Sequence, residues 1–512
     1  MWLLKGSCKF RLAFLIFAIC YLSALVAFLI LNLSNMPIQW DEAAHLDNGL
    51  FLKLGMDTQF SGNLFYPPLY DFLTFLSYNI FGVSVVSARA IDAVFSVLLL
   101  WVVFEFTLKV YNGKTALLAS VFLGLMPGYF EASHMALLDI MMTFFFVLSI
   151  FFFYLWLQTH KDRTLIFTAL ALIVGFLAKY QIIVAILVML FAVFFLNRSQ
   201  LKRPFSRKLY IAVVVALLAA ATYLIYSFQS YLGMWLSAIG MTTTGSQTIA
   251  PTYYLTEMNS IYPTIHPISL LTYVLGFLGM AVFVIRRQNA DKLLLVWFVT
   301  VYVFYTLIIN KNWRYVLPLF PVLAIAAAVF LTFTYAELQR LNKKTLTKIG
   351  ALALIAVVCL SLFYSVNDTI YWVNSDNASF KLEKAVEYTI AHDRSNQSVM
   401  VLCPDNYFSQ GIIEFYLLKD GGRQIHVYSY PWSRIIDPVF NITTIISRCQ
   451  EYNVKFIFTT EFGGNNLAYF NSAITLMDIY TQLYNSGNFT HVTPEQTFGN
   501  APLSIYILNY TG

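Results

Sequence analysis

The segment MPIQWDEAAHLDNG (36–49) places Asp41 and Glu42 side by side, with His45 and Asp47 close behind, just past one of the most apolar stretches of the chain. Ionisable groups at membrane depth or at its boundary are costly, so in an apolar chain the places where they gather are the best guide to chemistry. Further on come Arg89, the trio Glu131, His134 and Asp139, then Lys179, and finally Lys311 and Arg314. Such a mixture suits group transfer from a phosphate. If the substrate is a sugar joined to a lipid phosphate, its departure turns a monoanionic diester into a monoester approaching two negative charges. Fixed cations such as Arg89, Lys179 and Arg314 would stabilise that change. A carboxylate, with Asp41 the candidate, would take the proton of an attacking hydroxyl, while Glu42 or Asp139 position hydroxyl groups. Ion transport could use the same charges, and residue types alone do not choose between the two.

The 512 residues are 59% hydrophobic and only 11% charged, against roughly 25% charged in soluble domains. The run LAFLIFAICYLSALVAFLILNL (12–33) has the roughly 20 apolar residues that a helix needs to cross the hydrocarbon core. It is too long for the apolar region of a signal peptide and is expected to remain as a span. Apolar windows predict about eleven transmembrane helices, near 12–33, 88–108, 115–130, 139–158, 164–178, 180–196, 209–228, 268–285, 293–309, 315–334 and 349–366. The two short windows meeting at LAKYQ could be one broken hairpin. With the N-terminus cytoplasmic, 19 of the 32 Lys and Arg residues fall in inner segments, and only Lys53, Arg89, Lys179, Lys311 and Arg314 in outer loops. The positive-inside rule favours that orientation. The net charge of +6 therefore reports topology and not nucleic-acid binding, and all the clustered ionisable residues map to the outer face.

An odd number of spans puts everything after residue 367 outside. This divides the chain into a transmembrane domain, 1–367, and an extracytoplasmic α/β domain, 368–512. The tail carries Asn-x-Ser/Thr sequons at Asn377, Asn396, Asn441, Asn488 and Asn509, which suit an exported face. Helical periodicity over 379–392 is followed by strands SVMVLC, QIHVYSY, VKFIFTT and LSIYILNY, with helices GIIEFYLLK, TTIISRCQEY and a segment near 465–485 between them. Alternation at this spacing predicts a small layer structure with a largely parallel sheet. No GxGxxG fingerprint follows the first strand, so a cap or acceptor-docking role is expected over a nucleotide site. Cys403 and Cys449 both lie in this tail and could form a disulfide.

Six segments, in order along about residues 10–335, resemble those of the GT-C glycosyltransferases, in particular the group with the protein O-mannosyltransferases and the aminoarabinose transferase of lipid A. QWDEAAHLDNGLFLKLG is similar to the Asp-Glu motif of the first external loop, YPPLYDFL (66–73) to the following x-Pro-Pro-Leu segment, and ARAIDAVFSVLLL to the Arg that opens the second span. MALLDIMMTFFF (135–146) resembles the second acidic motif, GFLAKYQ (175–181) the Gly-Leu-x-x-Lys turn, and WRYVLPLFPVLAI (313–325), with Arg314 and Tyr315, the Arg-Tyr-x-x-Pro stretch. The resemblance implies transfer of a sugar from a polyprenyl-phosphate donor, with inversion, outside the cytoplasm. Asp41 would be the base, Asp139 a second active-site carboxylate, and Arg89, Lys179 and Arg314 the contacts to donor phosphate. One departure stands out: Tyr66 precedes Pro-Pro where relatives carry Lys or His, and it brings a hydrogen bond without a charge.

The acceptor would be a protein, lipid or glycan hydroxyl, or a phosphate, met at the bilayer surface. A transporter or lipid flippase is the alternative, but such proteins place ionisable residues near the bilayer midplane and show internal repeats. A metal-dependent oligosaccharyltransferase type is a third reading, since Asp41, Glu42, Glu131, His134 and Asp139 could offer ligands to a divalent ion. The Trp-Trp-Asp-Tyr-Gly signature of that family is missing, so no obligatory metal or other cofactor is expected. The segment 229–267 is long enough to serve as a lid over substrate.

Overall fold

The computed structural model describes residues 2–31, 38–56, 65–196, 221–230, 232, 250–261, 264–375, 382–392, 397–403, 408–421, 425–431, 441–460, 476–491 and 505–511. The first nine helices are α1 (Trp2–Ile30), α2 (Trp40–Leu54), α3 (Leu69–Phe81), α4 (Val85–Val110), α5 (Gly113–Gly124), α6 (Pro127–Ser133), α7 (Leu138–Thr159), α8 (Asp162–Ala178) and α9 (Ile183–Leu196). The chain divides into two compact units. The first comprises Met1–Leu31, Leu64–Tyr70 and Arg89–Asn374, and the second Asn32–Asn63, Asp71–Ala88 and Ser375–Gly512.

The first unit is an all-helical bundle, and the chain is an integral membrane protein. Six helices among the described residues are long and apolar enough to cross a bilayer: Cys8–Ile30, Val85–Val110, Leu138–Thr159, Asn289–Leu307, Trp313–Arg340 and Lys344–Asn374. The pair α5 and α6 makes a seventh if counted as one span bent by 68°. The bend has a local cause, because Pro127 opens α6 and cannot donate the backbone hydrogen bond that would continue α5. Six or seven is fewer than the eleven windows read from the sequence. The windows 180–196 and 268–285 correspond to shorter apolar helices, 164–178 to the 17-residue α8, and most of 209–228 lies outside the described residues. The centre of the bundle is the helix Phe320–Arg340, whose Ala324, Ala326, Ala327 and Ala328 are fully buried. Small side chains there let neighbouring helices approach closely.

The second unit combines α2 and α3 with a small sheet of β1 (Ser398–Leu402), β2 (His426–Tyr430), β3 (Val454–Thr460), β4 (Phe489–His491) and β5 (Ile505–Tyr510), in the order β2-β1-β3-β5-β4. β1 runs parallel to β2 and β3, but β5 is antiparallel to β3 and β4. The sheet is therefore mixed, where a largely parallel one is expected from the sequence. The difference comes from β4, a three-residue strand too short to show alternation, which β5 follows in reverse. Cys403 and Cys449 share one core with Met400, Leu402 and Ile457, and both thiols are free. Burial pushes the Cys449 thiol up to about 12 and the Cys403 thiol higher still. The sequons at Asn377 and Asn396 and residues 233–249 of the proposed lid lie outside the described residues.

Candidate active site

In the first unit the described side chains converge on Asp139. It sits in the first turn of α7, where the unpaired amides of a helix start favour a carboxylate. Lys179 Nζ lies 2.8 Å from Asp139 Oδ1, each side chain only 4% exposed, and Arg314 Nη1 lies 3.9 Å from Oδ2. The ammonium of Lys179 also faces two aromatic rings, 5.6 Å from the centroid of Tyr66 and 5.8 Å from that of Tyr315. Tyr66 in turn stacks on Tyr180 at 5.5 Å. Tyr66 thus offers a ring face, which attracts the neighbouring cation.

Two glycines set the position of these cations. A Cβ on Gly175 would lie 2.0 Å from Ile182 Cδ1 and 2.8 Å from Phe145 Cβ, so only glycine lets the end of α8 close onto the turn that follows. The Lys179 amide then donates to Gly175 O at 2.9 Å, which gives the Gly-x-x-x-Lys spacing its physical reason. A Cβ on Gly128 would meet Pro267 and Trp313, each at 2.9 Å, and Trp313 immediately precedes Arg314. Asn312 then caps the turn, its Oδ1 accepting from Arg314 N at 3.0 Å.

The other candidates are placed differently. Arg89 is buried in α4. Glu131 and His134 pair with each other, His134 Nε2 lying 3.5 Å from Glu131 Oε2, with His134 Nδ1 2.8 Å from Phe130 O. Lys311, grouped with the outer cations on sequence, serves to close a helix: its Nζ donates to the carbonyls of Thr306 (2.9 Å) and Tyr305 (3.3 Å) at the end of the helix Asn289–Leu307. Burial lowers its pKa. Asp92 is not singled out by the sequence, yet it is fully buried, accepts from the Tyr70 hydroxyl, and accepts from Leu137 N at 3.2 Å. It thereby fixes the residue preceding α7 and Asp139. The only signal for it is an acidic residue one turn after Arg89.

In the second unit, α2 carries both adjacent carboxylates, and they point to different environments. Asp41 is exposed and Glu42 fully buried. The Gln39 amide donates to Glu42 Oε2 at 3.3 Å within a capping box that starts the helix. One turn after Asp41, His45 Nδ1 lies 2.9 Å from Asp71 Oδ1, and Asn48 Nδ2 donates to Asp71 Oδ2 at 2.9 Å. Asp71 of α3 thus holds α2 at two points. Asp47, also buried, packs with α2 against the helix Gln410–Lys419 that bears Glu414. Burial and the Glu414 charge raise the Asp47 carboxyl well above the ordinary range, and burial pushes Glu414 up to about 7. Among the described residues no three His, Cys, Asp or Glu side chains form a metal-binding group.

This geometry can be set beside known proteins. The family model described as dolichyl-phosphate-mannose-protein mannosyltransferase matches residues 66–226. An uncharacterized protein of Aquifex aeolicus (strain VF5) is 23% identical over 315 residues, and the match spans 60% of this chain and 60% of that protein's length. The crystal structure of ArnT from Cupriavidus metallidurans superposes with a TM-score of 0.64 at 12% identity, over 96% of this chain and 97% of that one. The Archaeoglobus fulgidus oligosaccharyltransferase superposes with a TM-score of 0.61 at 13% identity, over 96% and 74%. The chain shares the fold of these two structures, and its residues 66–226 match the mannosyltransferase family model.

Proposed function

We propose that the protein is a membrane glycosyltransferase that moves a sugar from a polyprenyl-phosphate donor to an acceptor hydroxyl, or a phosphate, of a protein, lipid or glycan at the outer face of the membrane. The N-terminus is cytoplasmic and the C-terminal residues are extracytoplasmic. The observation that carries the reading is the pair of cations, Lys179 and Arg314, held on one buried carboxylate beside two tyrosine rings. Support comes also from proteins of the same fold: ArnT has been crystallised with undecaprenyl phosphate, and the archaeal oligosaccharyltransferase AglB with dolichol-phosphate and an inhibitory peptide.

The acceptor oxygen attacks the anomeric carbon from the side opposite the phosphate, so the configuration inverts. The bond from that carbon to the phosphate oxygen breaks, and the lipid phosphate leaves with its extra negative charge. Lys179 and Arg314, with Arg89, stabilise that charge, which is larger in the transition state than in the bound donor. Asp139 keeps the two cations aimed and offsets part of their charge. Asp41, exposed in the first turn of α2, takes the acceptor proton, and Glu42 holds the helix start. No obligatory metal takes part, and transfer is expected to survive removal of divalent ions with a chelator. Asp41→Asn tests the assignment: folding and donor binding persist while transfer falls by at least about a hundredfold. Near-normal turnover of this variant removes Asp41 from the mechanism.

A further inference from the structure

A cavity of about 700 Å³ opens in the first unit between the start of α5 and the helices Phe320–Arg340 and Lys344–Ser375. It belongs to the end of the bundle away from Asp139. The chain enters α5 beside the cavity, crosses through α5 and α6, and only then reaches Asp139 at the start of α7.

The cavity lies between two points at which the helix Lys344–Ser375 is held to the bundle: near its start Thr347 Oγ1 donates to Leu338 O at 3.0 Å, and the other contacts come in its later turns. Ser361 and Ser365 meet Thr272 at 2.6 Å and 3.3 Å, and Trp372 packs on Trp313. Over its apolar window only 11% is buried, against 83% for Trp313–Arg340. Earlier along the helix, Leu354, Ile355 and Val358 face Leu118 and Leu331 across the opening. A groove with such walls, on a helix of membrane-spanning length, presents itself to acyl chains and not to water.

Its mouth is polar and positive. Lys114 is the exposed residue of an otherwise buried first turn of α5, with its ammonium 5.5 Å from the Tyr335 ring centroid; Gln339 stands beside it, as does Asn112, whose Oδ1 caps the helix by accepting from Thr115 N at 3.0 Å. The carboxylates of the surrounding turns are already paired, Glu105 with Arg11 at 2.8 Å and Glu337 with Arg340 at 2.6 Å. Lys109, Lys114, Lys343, Lys344 and Lys348 are in excess there. The partial positive charge of the α5 N-terminus adds to them.

We propose that this groove is a binding site for an anionic glycerophospholipid, its phosphate at Lys114 and the first turn of α5, one acyl chain along Leu118, Leu354 and Val358. The site is separate from donor chemistry and does not depend on the function proposed above. The neutral headgroup of phosphatidylcholine carries its own ammonium and gains nothing from Lys114, so the preference should be for net charge.

The experiment is native mass spectrometry of the purified, delipidated full chain, titrated in parallel with phosphatidylglycerol, phosphatidylcholine, undecaprenyl phosphate and inorganic phosphate. Phosphatidylglycerol should be retained about fivefold over phosphatidylcholine, the effect expected of one lysine at a membrane surface. Lys114→Gln should bring that ratio close to one. Ala351→Phe, which fills the groove, should lower retention of both phospholipids. If Ala351→Phe does not fold, Lys114→Gln decides alone, because its exposed position makes misfolding no explanation. Equal retention of the two phospholipids overturns the proposal, as does an unchanged ratio in Lys114→Gln. Displacement of phosphatidylglycerol by equimolar undecaprenyl phosphate, or binding of inorganic phosphate with the same dependence on Lys114, overturns the assignment to a glycerophospholipid.

Discussion

Replacing Lys179 by methionine isolates the central contact of the first unit, because methionine keeps most of the apolar stem and removes the ammonium with its charge and hydrogen-bond donors. Lys179 and Asp139 are 2.8 Å apart and almost wholly buried, and the next cation, Arg314, is 3.9 Å away. Breaking a buried ion pair by deleting one partner costs about 3–5 kcal/mol, since a carboxylate is left in low dielectric. Arg314 is close enough to recover part of this, so we expect a loss of about 2–3 kcal/mol. In the double variant Lys179→Met/Asp139→Asn the orphaned charge is gone, and the loss should be no greater than in Lys179→Met alone. The coupling should then exceed about 1.5 kcal/mol, well outside the scatter of independent sites. Denaturation in mixed detergent–SDS micelles, followed by circular dichroism, measures all four corners of the cycle. The proposed function adds a second readout: donor affinity should fall roughly ten- to a hundredfold, the worth of one charge-assisted hydrogen bond to phosphate. Single-variant losses that add to within about 0.5 kcal/mol would show that the pair does not act as a unit. An unchanged response to donor concentration would refute the phosphate contact.

Other expectations follow from individual contacts. Gly175→Val should cost about 1–3 kcal/mol by overpacking against Phe145 and Ile182, and should weaken donor binding along with stability, which parallel melting curves and donor titrations would reveal. Lys311→Met should lower stability by about 1–2 kcal/mol through lost carbonyl contacts, with an unchanged KM for donor; a raised KM would return Lys311 to the site. Glu414 is pushed from about 4.5 when unfolded to about 7 when folded, and Asp47 is raised with it. The folded second unit therefore binds more protons, and stability should be greatest below about pH 4.5 and decline as pH rises toward 7. Glu414→Gln should flatten this decline in thermal melts taken across that range, and a slope equal to wild type would remove Glu414 as its source.

What the sequence showed best was what has a long period or a severe constraint. Twenty-residue apolar runs, four of the five strands and the helices between them were legible because each is a repeated local preference. The cations Lys179 and Arg314 were legible because charge is rare in this chain. Lys311 looked the same on that criterion and belongs to a helix end, because the sequence does not say whether an amine faces a carboxylate or backbone carbonyls. Asp92 and Asp71 give no such signal, for the converse reason. Each is an acid in a largely apolar helix, and its importance lies in partners 22 to 45 residues away. The short strand β4 and the direction of β5 likewise depend on pairing and not on local composition.

Under the proposed function, the arrangement around Asp139 also bears on how a phosphate could be received in so apolar a bundle. Two cations aimed at an empty, nearly dry position would repel each other and lose their hydration, a cost far larger than a domain's net stability can absorb. A resident carboxylate between them removes that cost while the donor is absent. The same carboxylate would oppose the donor's single negative charge when it arrives, so the cluster should not hold the ground state tightly. As the sugar departs and the phosphate gains charge, attraction to Lys179 and Arg314 grows faster than repulsion from one fixed Asp139, because two cations outnumber one anion. Under the proposed function, then, Asp139 contributes by keeping donor binding modest while leaving a net positive response to developing charge. Asp139→Asn should accordingly tighten binding of the spent lipid phosphate and slow turnover through product retention. Product inhibition measured with added undecaprenyl phosphate distinguishes this from a simple loss of positioning, in which the variant's affinity for the lipid phosphate would fall.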